Sequence, residues 1–165
     1  MTNMKRMLYL SVMTFGVMAS PDQSGADAAT APATIAVSAT VLSFCTIAAL
    51  PLAFGNYSQA VLAAASSVTI TCTLGTPYNV GLDVGTGTGA TIASRKMTFG
   101  ANLLSYGLFS DPAHSVVWGP TIGTNTVVGT ATGLPQILPI YGQIPASQLV
   151  GPGAYLDTIT ATVTY

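Results

Sequence analysis

Cys45 and Cys72 are the residues of this chain best equipped for covalent chemistry, and they are its only cysteines. A cysteine pair can close a disulfide, exchange electrons or ligate a metal. The two lie far apart in sequence, unlike the close pairs of redox and zinc motifs, and the single His114 is distant from both. They read as one disulfide if the chain reaches an oxidising compartment, a link worth ~3 to 4 kcal/mol on the chain-entropy model. His114 is the sole imidazole available as a general base, but no nucleophile-elbow motif or orienting carboxylate accompanies it. No catalytic residue is assigned. The aspartates after Asp22 are scattered singly, so no metal site and no cofactor are expected. Gly85-Thr86-Gly87-Thr88-Gly89 has the look of a phosphate cradle without the Gly-Lys-Ser/Thr that should follow, and reads as a flexible hairpin loop. Arg95-Lys96 reads as a solvated strand edge that deters aggregation. Asn56-Tyr57-Ser58 matches a glycosylation sequon, a triplet common by chance.

The compartment follows from the first residues. Lys5 and Arg6 precede the apolar run Met7 to Met18, and small residues follow, including Ala26-Asp27-Ala28. This is the pattern of a secretory signal peptide over residues 1–28, with cleavage after Ala28 or, on a second reading, after Ala19. The apolar run is short for a membrane span of ~20 residues. Composition agrees with export and assembly: 50% of residues are hydrophobic, 5% are charged, and there is no glutamate. Such a surface is expected to associate. A net charge of −1 gives no footprint for nucleic acid.

Period-2 alternation then supplies the elements. Ile35, Val37, Ala39 and Val41 alternate with Thr34, Ala36, Ser38 and Thr40, and Val68, Ile70 and Cys72 with Ser67, Thr69 and Thr71. Further strands are expected over 77–84, 91–99, 103–110, 115–118, 126–130 and 136–144, each bounded by Gly, Pro, Asn or Asp. Residues 60–65 have the composition for a turn of helix. At the end of the chain Thr158, Thr160, Thr162 and Thr164 alternate with Ile159, Ala161, Val163 and Tyr165, a half-buried strand whose edge is expected to await a partner. Many short strands separated by turn signals predict an all-β antiparallel sandwich. The aromatics, among them Phe54, Tyr57, Tyr78, Tyr106, Phe109, Trp118, Tyr141 and Tyr155, could form a sugar-stacking platform, but their spread over many strands reads as core.

Several stretches taken in order carry a resemblance: Leu52-Ala53-Phe54-Gly55-Asn56-Tyr57, Cys72-Thr73, Gly75-Thr76-Pro77-Tyr78, Arg95-Lys96-Met97, Leu104 to Asp111 and Val117-Trp118-Gly119. With Tyr141 to Ala146, Gln148, Gly153 to Thr158 and the closing Val163-Thr164-Tyr165, the sequence resembles the spore coat protein U domain family from about residue 35 onward. That family includes subunits of archaic chaperone–usher pili. Gly107, Phe109 and Ser110 stand where Asn, Tyr and Thr are expected. The resemblance implies an incomplete immunoglobulin-like β-sandwich, lacking its final strand and completed by a donor strand. It further implies the partners: a periplasmic pilus chaperone, an outer-membrane usher and neighbouring subunits joined head to tail. The chain is then exported through the periplasm to a surface fimbrium that serves adhesion or biofilm formation. Residues 29–42 would be the donor segment, with Ile35, Val37, Ala39 and Val41 as the pocket-filling row, and 43–165 the sandwich domain. On a competing reading the same row is the domain's own first strand, leading into Cys45, and the donor begins nearer Ala29. Ile159, Ala161, Val163 and Tyr165 would line the groove edge. Two other functions fit the same sequence: a secreted coat or matrix protein of this fold, or a carbohydrate-binding adhesive domain.

Overall fold

The computed structural model describes residues 28–165. The leader expected over 1–28 thus lies, but for its last residue, outside the described residues. Contacts divide the chain into a unit ending at Ser38 and a second from Ala39 to Tyr165. Residues 28–38, described by themselves, form no strand, and their side chains are exposed.

The second unit is built of eight strands: β1 (Cys45–Ala49), β2 (Leu62–Cys72), β3 (Pro77–Leu82), β4 (Arg95–Phe99), β5 (Asn102–Phe109), β6 (Val127–Thr130), β7 (Gln136–Ile144) and β8 (Ala161–Thr164). They form a five-stranded sheet in the order β1-β2-β7-β5-β4 and a three-stranded sheet in the order β6-β3-β8, with every pairing antiparallel. Alternate residues of each sheet face the other. Val68 and Ile70 of β2, Leu104 and Leu108 of β5, and Ile140 and Ile144 of β7 meet Tyr78, Val80 and Leu82 of β3. Each aliphatic side chain removed from water in this way contributes about 1.5 to 3 kcal/mol. Trp118, the one tryptophan, is fully buried and donates its indole N–H to the Val80 carbonyl at 2.8 Å. Cys45 faces Cys72 in the β1–β2 register, and the two form the disulfide.

The expected row Thr34–Val41 is not a strand; its apolar members Ile35, Val37 and Val41 are exposed, and the first strand of the sandwich starts at Cys45. A strand needs a neighbour for its backbone N–H and C=O groups, and this stretch has no ladder among the described residues. The helical turn expected at 60–65 is replaced by the first half of β2, where Leu62 to Ala65 face Ile144 to Tyr141 of β7. Ladder pairing with a long neighbour overrides the helix preference of three alanines. Residues 115–118 form only an isolated bridge, Phe109 to Val117, because the Asp111 carboxylate captures the amides of Ser115 and Val116 in a tight turn. The glycine-rich stretch 85–89 is not a hairpin, since β3 and β4 on either side of it belong to different sheets.

Candidate functional site

On one side β1 and β8, the edge strands of the two sheets, come close together, and beside that approach the sheets stay parted where residues 49–54 face residues 155–161. There β8 forms the border of the three-stranded sheet and β1, continued by residues 50–54, the border of the other. Between them runs an apolar groove with a cavity of about 350 Å³. Val68, Leu82, Leu108 and Ile140 make its floor, Leu50, Leu52 and Phe54 one wall, and Tyr155 to Ile159 with Ala161 the other. Leu52, Phe54, Met97 and Tyr155 also line a second hollow of about 1040 Å³ that extends the groove toward Tyr57 and Gln148. Gly142 lies under the first wall: a Cβ there would meet the Phe54 ring at 2.8 Å and Leu52 at 3.0 Å, so the glycine lets these two side chains pack close.

Both walls are held by specific bonds. The Leu50 amide extends the β1–β2 ladder to Ser67 O at 3.0 Å, and the Ser66 hydroxyl donates to the carbonyls of Leu50 and Pro51. Tyr57 donates to Pro145 O at 2.7 Å and accepts from the Gln148 amide at 3.0 Å. The Gln148 side chain pairs with both backbone groups of Ser105 at 2.8 Å, standing in for a strand beyond the end of β7. On the opposite wall Leu156 exchanges two backbone bonds with Thr98 of β4, at 2.8 and 3.1 Å. The chain therefore touches the larger sheet at Leu156 before it joins the smaller one as β8.

Asp157, the next residue, fixes that crossing. Its carboxylate accepts from the Thr86 amide and hydroxyl and the Thr158 amide, each at 2.8 Å, and from the Tyr106 hydroxyl at 2.7 Å. Burial opposes ionisation of Asp157, but these hydrogen bonds outweigh it and hold the carboxyl below the usual carboxylate range. Burial, reinforced by Asp157 as acceptor and as charge, pushes the Tyr106 hydroxyl far above its ordinary value. Gly85 packs directly on the Asp157 carboxylate with φ +81, so the glycines of this loop serve close approach rather than phosphate binding.

Beneath the network lies Arg95, fully buried rather than on a solvated edge. Its guanidinium donates to Asp83 O at 2.8 Å, Ile92 O at 3.1 Å, Leu82 O at 3.2 Å and Trp118 O at 2.7 Å. Desolvation lowers its pKa, an effect partly offset by Tyr106, Asp83 and Asp157. Arg95 stays charged, and its planar fork satisfies carbonyls from three chain segments at once.

The groove therefore offers an apolar trough bordered by strand edges, which suits an extended peptide that adds a strand. Ile159, Ala161 and Val163 turn their side chains inward beside exposed threonines, and Tyr165 is exposed. Ile35, Val37, Ala39 and Val41 are exposed. His114 packs edge-on against Phe109 and Tyr141, and Tyr78, Tyr106 and Trp118 are buried, so these rings build no shared platform. Among the described residues no group of three or more His, Cys, Asp or Glu is placed to hold a metal. Sequence reasoning missed the wall at Leu50, Leu52 and Phe54. Its signal was present, three apolar residues at period 2 around Pro51, which has no ladder donor and so marks an edge.

One solved structure shares this architecture. A chain of the complex between the CsuC chaperone and the CsuE tip adhesion subunit, from archaic chaperone-usher Csu pili of Acinetobacter baumannii, superposes with a TM-score of 0.54 at 25% identity. The match spans 76% of this chain but only 40% of the length of that one. The minor tip subunit HdaB of the E. coli Hda pilus is 20% identical with a TM-score of 0.36, over 73% of this chain and 79% of its own. Protein U of Myxococcus xanthus is 34% identical over 160 residues, covering 86% of this chain and 89% of that protein. The family model for the Spore Coat Protein U domain matches residues 31–162, and the chain belongs to that family.

Proposed function

We propose that this chain is a structural, non-enzymatic subunit of an archaic chaperone–usher pilus, exported through the periplasm and polymerised by donor-strand exchange. The observation that carries the reading is the apolar groove between residues 49–54 and residues 155–161, the segment that leads into β8, on a sandwich whose sheets end there in the edge strands β1 and β8. Its natural occupant is a strand with alternate apolar side chains. The chain itself carries one in residues 33–42, where Ile35, Val37, Ala39 and Val41 form the apolar row and remain exposed. Residues 1–28 are then the leader, 29–42 the donor segment and 43–165 the receiving domain. A periplasmic chaperone strand fills the groove first and the donor segment of a sister subunit replaces it at the usher; Ile159, Ala161, Val163 and Tyr165 belong to the groove-edge strand that both would pair with. The likeness to a chain of a chaperone–subunit pre-assembly complex supports this order of partners. Donor and groove occupy different parts of one subunit, so the contacts run head to tail and give a fibre, suited to adhesion or biofilm formation, rather than a ring.

Val37→Asp tests the reading. A carboxylate buried in an apolar pocket without a partner costs several kcal/mol, on top of the ~1.5 to 3 kcal/mol lost with the valine. The variant should fold, keep its disulfide and bind chaperone, yet form no fibres by electron microscopy. Fibres at the normal yield would remove Val37 from the donor role. A second reading, a secreted coat protein of the same fold, is favoured by the family description. Genes for a chaperone and an usher beside this one separate the pilus from the coat.

A further inference from the structure

Apolar side chains stand exposed at both ends of the sandwich, on backbone that is tightly fixed. At one end, the head, Leu42, Phe44, Leu74 and Leu134 are 62 to 77% exposed. Three chain segments bring them together. Thr73 donates its amide to Phe44 O at 2.9 Å and its hydroxyl to Leu42 O at 3.3 Å. Gly75 binds Ala131 O at 2.8 Å, and Gly133 lies against the Leu74 side chain. Tight turns usually carry polar residues at the tip, whereas this one carries a leucine held outward. Four such side chains make a patch on the order of several hundred Å², the size that marks an interaction site.

The opposite end, the tail, carries Val61 and Leu149, 59% and 86% exposed. They flank the hydrogen bond from Ser147 N to Gln59 O at 2.8 Å. Both residues of that bond have left-handed backbone, with φ of 64 and 62, which non-glycine residues adopt at a cost of roughly 1 to 2 kcal/mol. Strain of this kind persists where the surroundings fix it, and it gathers at functional positions. Val61 immediately precedes β2 and Leu74 follows it; the 11 residues of that strand separate the two ends by about 33 Å at the usual rise. None of the charged side chains of residues 28–165, namely Asp83, Arg95, Lys96, Asp111 and Asp157, belongs to the segments that form either patch.

We propose that the head of one copy of this chain docks on the tail of the next, so that Leu42, Phe44, Leu74 and Leu134 pack against Val61 and Leu149. The inference rests on the donor-strand reading and adds a contact outside the groove. Leu42 is the last residue of the donor segment, and its carbonyl is already tied to the head turn by Thr73. A donor seated in a neighbour therefore brings the head face to the mouth of the neighbour's groove. Which mouth follows from strand direction. Thr164 of β8 faces Asn79, just past the head turn, while the segment leading into β8 starts at the tail by Leu149. A donor antiparallel to β8, as every observed pairing is antiparallel, enters with Val41 at the tail.

The test uses assembled full-length protein carrying Leu74→Cys together with Leu149→Cys, treated with a short bifunctional maleimide. The two positions are too far apart to be bridged within one chain. Denaturing gels should show a ladder of cross-linked multimers that neither single variant gives. Intact fibres without a ladder overturn the contact. Val37→Asp in the same background separates the two readings: fibres and ladder that survive it refute the donor assignment and leave the end contact standing. If the cysteine variants do not accumulate, Leu74→Ser with Leu149→Ser serves instead, and its fibres should fragment at least tenfold faster in denaturant. An unchanged fragmentation rate overturns the proposal.

Discussion

Replacing Arg95 by methionine removes the guanidinium while keeping most of the volume, which separates its polar role from simple cavity formation. The guanidinium is completely buried and donates to four carbonyls. Two of these bonds, to Leu82 O and Trp118 O, are themselves buried; those to Asp83 O and Ile92 O are only partly so, and water can replace the donor there. Each buried acceptor left without a donor costs about 1 to 3 kcal/mol. The desolvation that burdens the buried charge is relieved at the same time, which trims the sum. The net expectation is a loss of about 2 to 4 kcal/mol, a large share of the 5 to 15 kcal/mol typical of a domain. Urea unfolding followed by Trp118 fluorescence measures it, because the single tryptophan is buried and its carbonyl is one of the acceptors. Arg95→Lys should recover only part of the loss, since one ammonium cannot reach all four carbonyls. A cost below about 1 kcal/mol for methionine would show that the carbonyls find other donors.

Acidification should loosen the Asp157 crossing. Its folded-state pKa lies below the unfolded value, so the stabilisation is complete above that ordinary value and disappears as pH falls through the folded one. Asp111 is also held low, by the amide of Val116 foremost and by Ser115, against desolvation, and its protonation adds to the loss on acidification. Melting temperatures between pH 6 and pH 2.5 should fall less steeply for Asp157→Asn than for the parent chain; parallel curves would detach the crossing from Asp157. Replacing Cys45 and Cys72 together by serine should cost about 3.5 kcal/mol on the chain-entropy model. The denaturation midpoint of that variant should ignore reductant, whereas that of the parent chain should fall.

The sequence displayed most of the strands that bury one face and wet the other, although the short β1 was missed. β2 from Val68, β5, β7 and the close of the chain were legible because a period of two follows directly from the pleat. The first half of β2 was not, since an alanine and serine run has no apolar contrast and takes its conformation from β7. The row at 34–41 shows the converse: alternation states what a segment suits, not whether a neighbour exists to pair with it. At the site, the inward row of β8 could be read but the polar fastening could not. Nothing local distinguishes Arg95 beside Lys96 from an ordinary exposed pair, because its four acceptors come from residues 82, 83, 92 and 118. Asp157 likewise meets Thr86 and Tyr106 only after the sheets have stacked.

That fastening explains how an apolar groove can stay open in water. Hydrophobic surface left to itself would be covered by its own walls, and the walls here are irregular segments rather than long strands. Ser66 ties residues 50 and 51 back to β2, and Ser105, Thr98, Tyr106 and Thr86 hold residues 148, 156 and 157 against the sandwich, while Tyr57 and the Ser147–Gln59 link join the two segments at one end of the groove. Hydrogen bonds fix position without satisfying apolar surface, so they can hold two walls apart where packing would draw them together. A strand inserted as proposed above would meet borders already ordered, and the free energy of covering Leu82, Leu108 and Ile140 would not go into arranging the receptor. The near absence of charge belongs to the same logic. Asp157, the charged residue that lines the groove, already has its carboxylate filled by Thr86, Tyr106 and Thr158, so a strand laid there on the reading proposed above would meet no bare charge to desolvate.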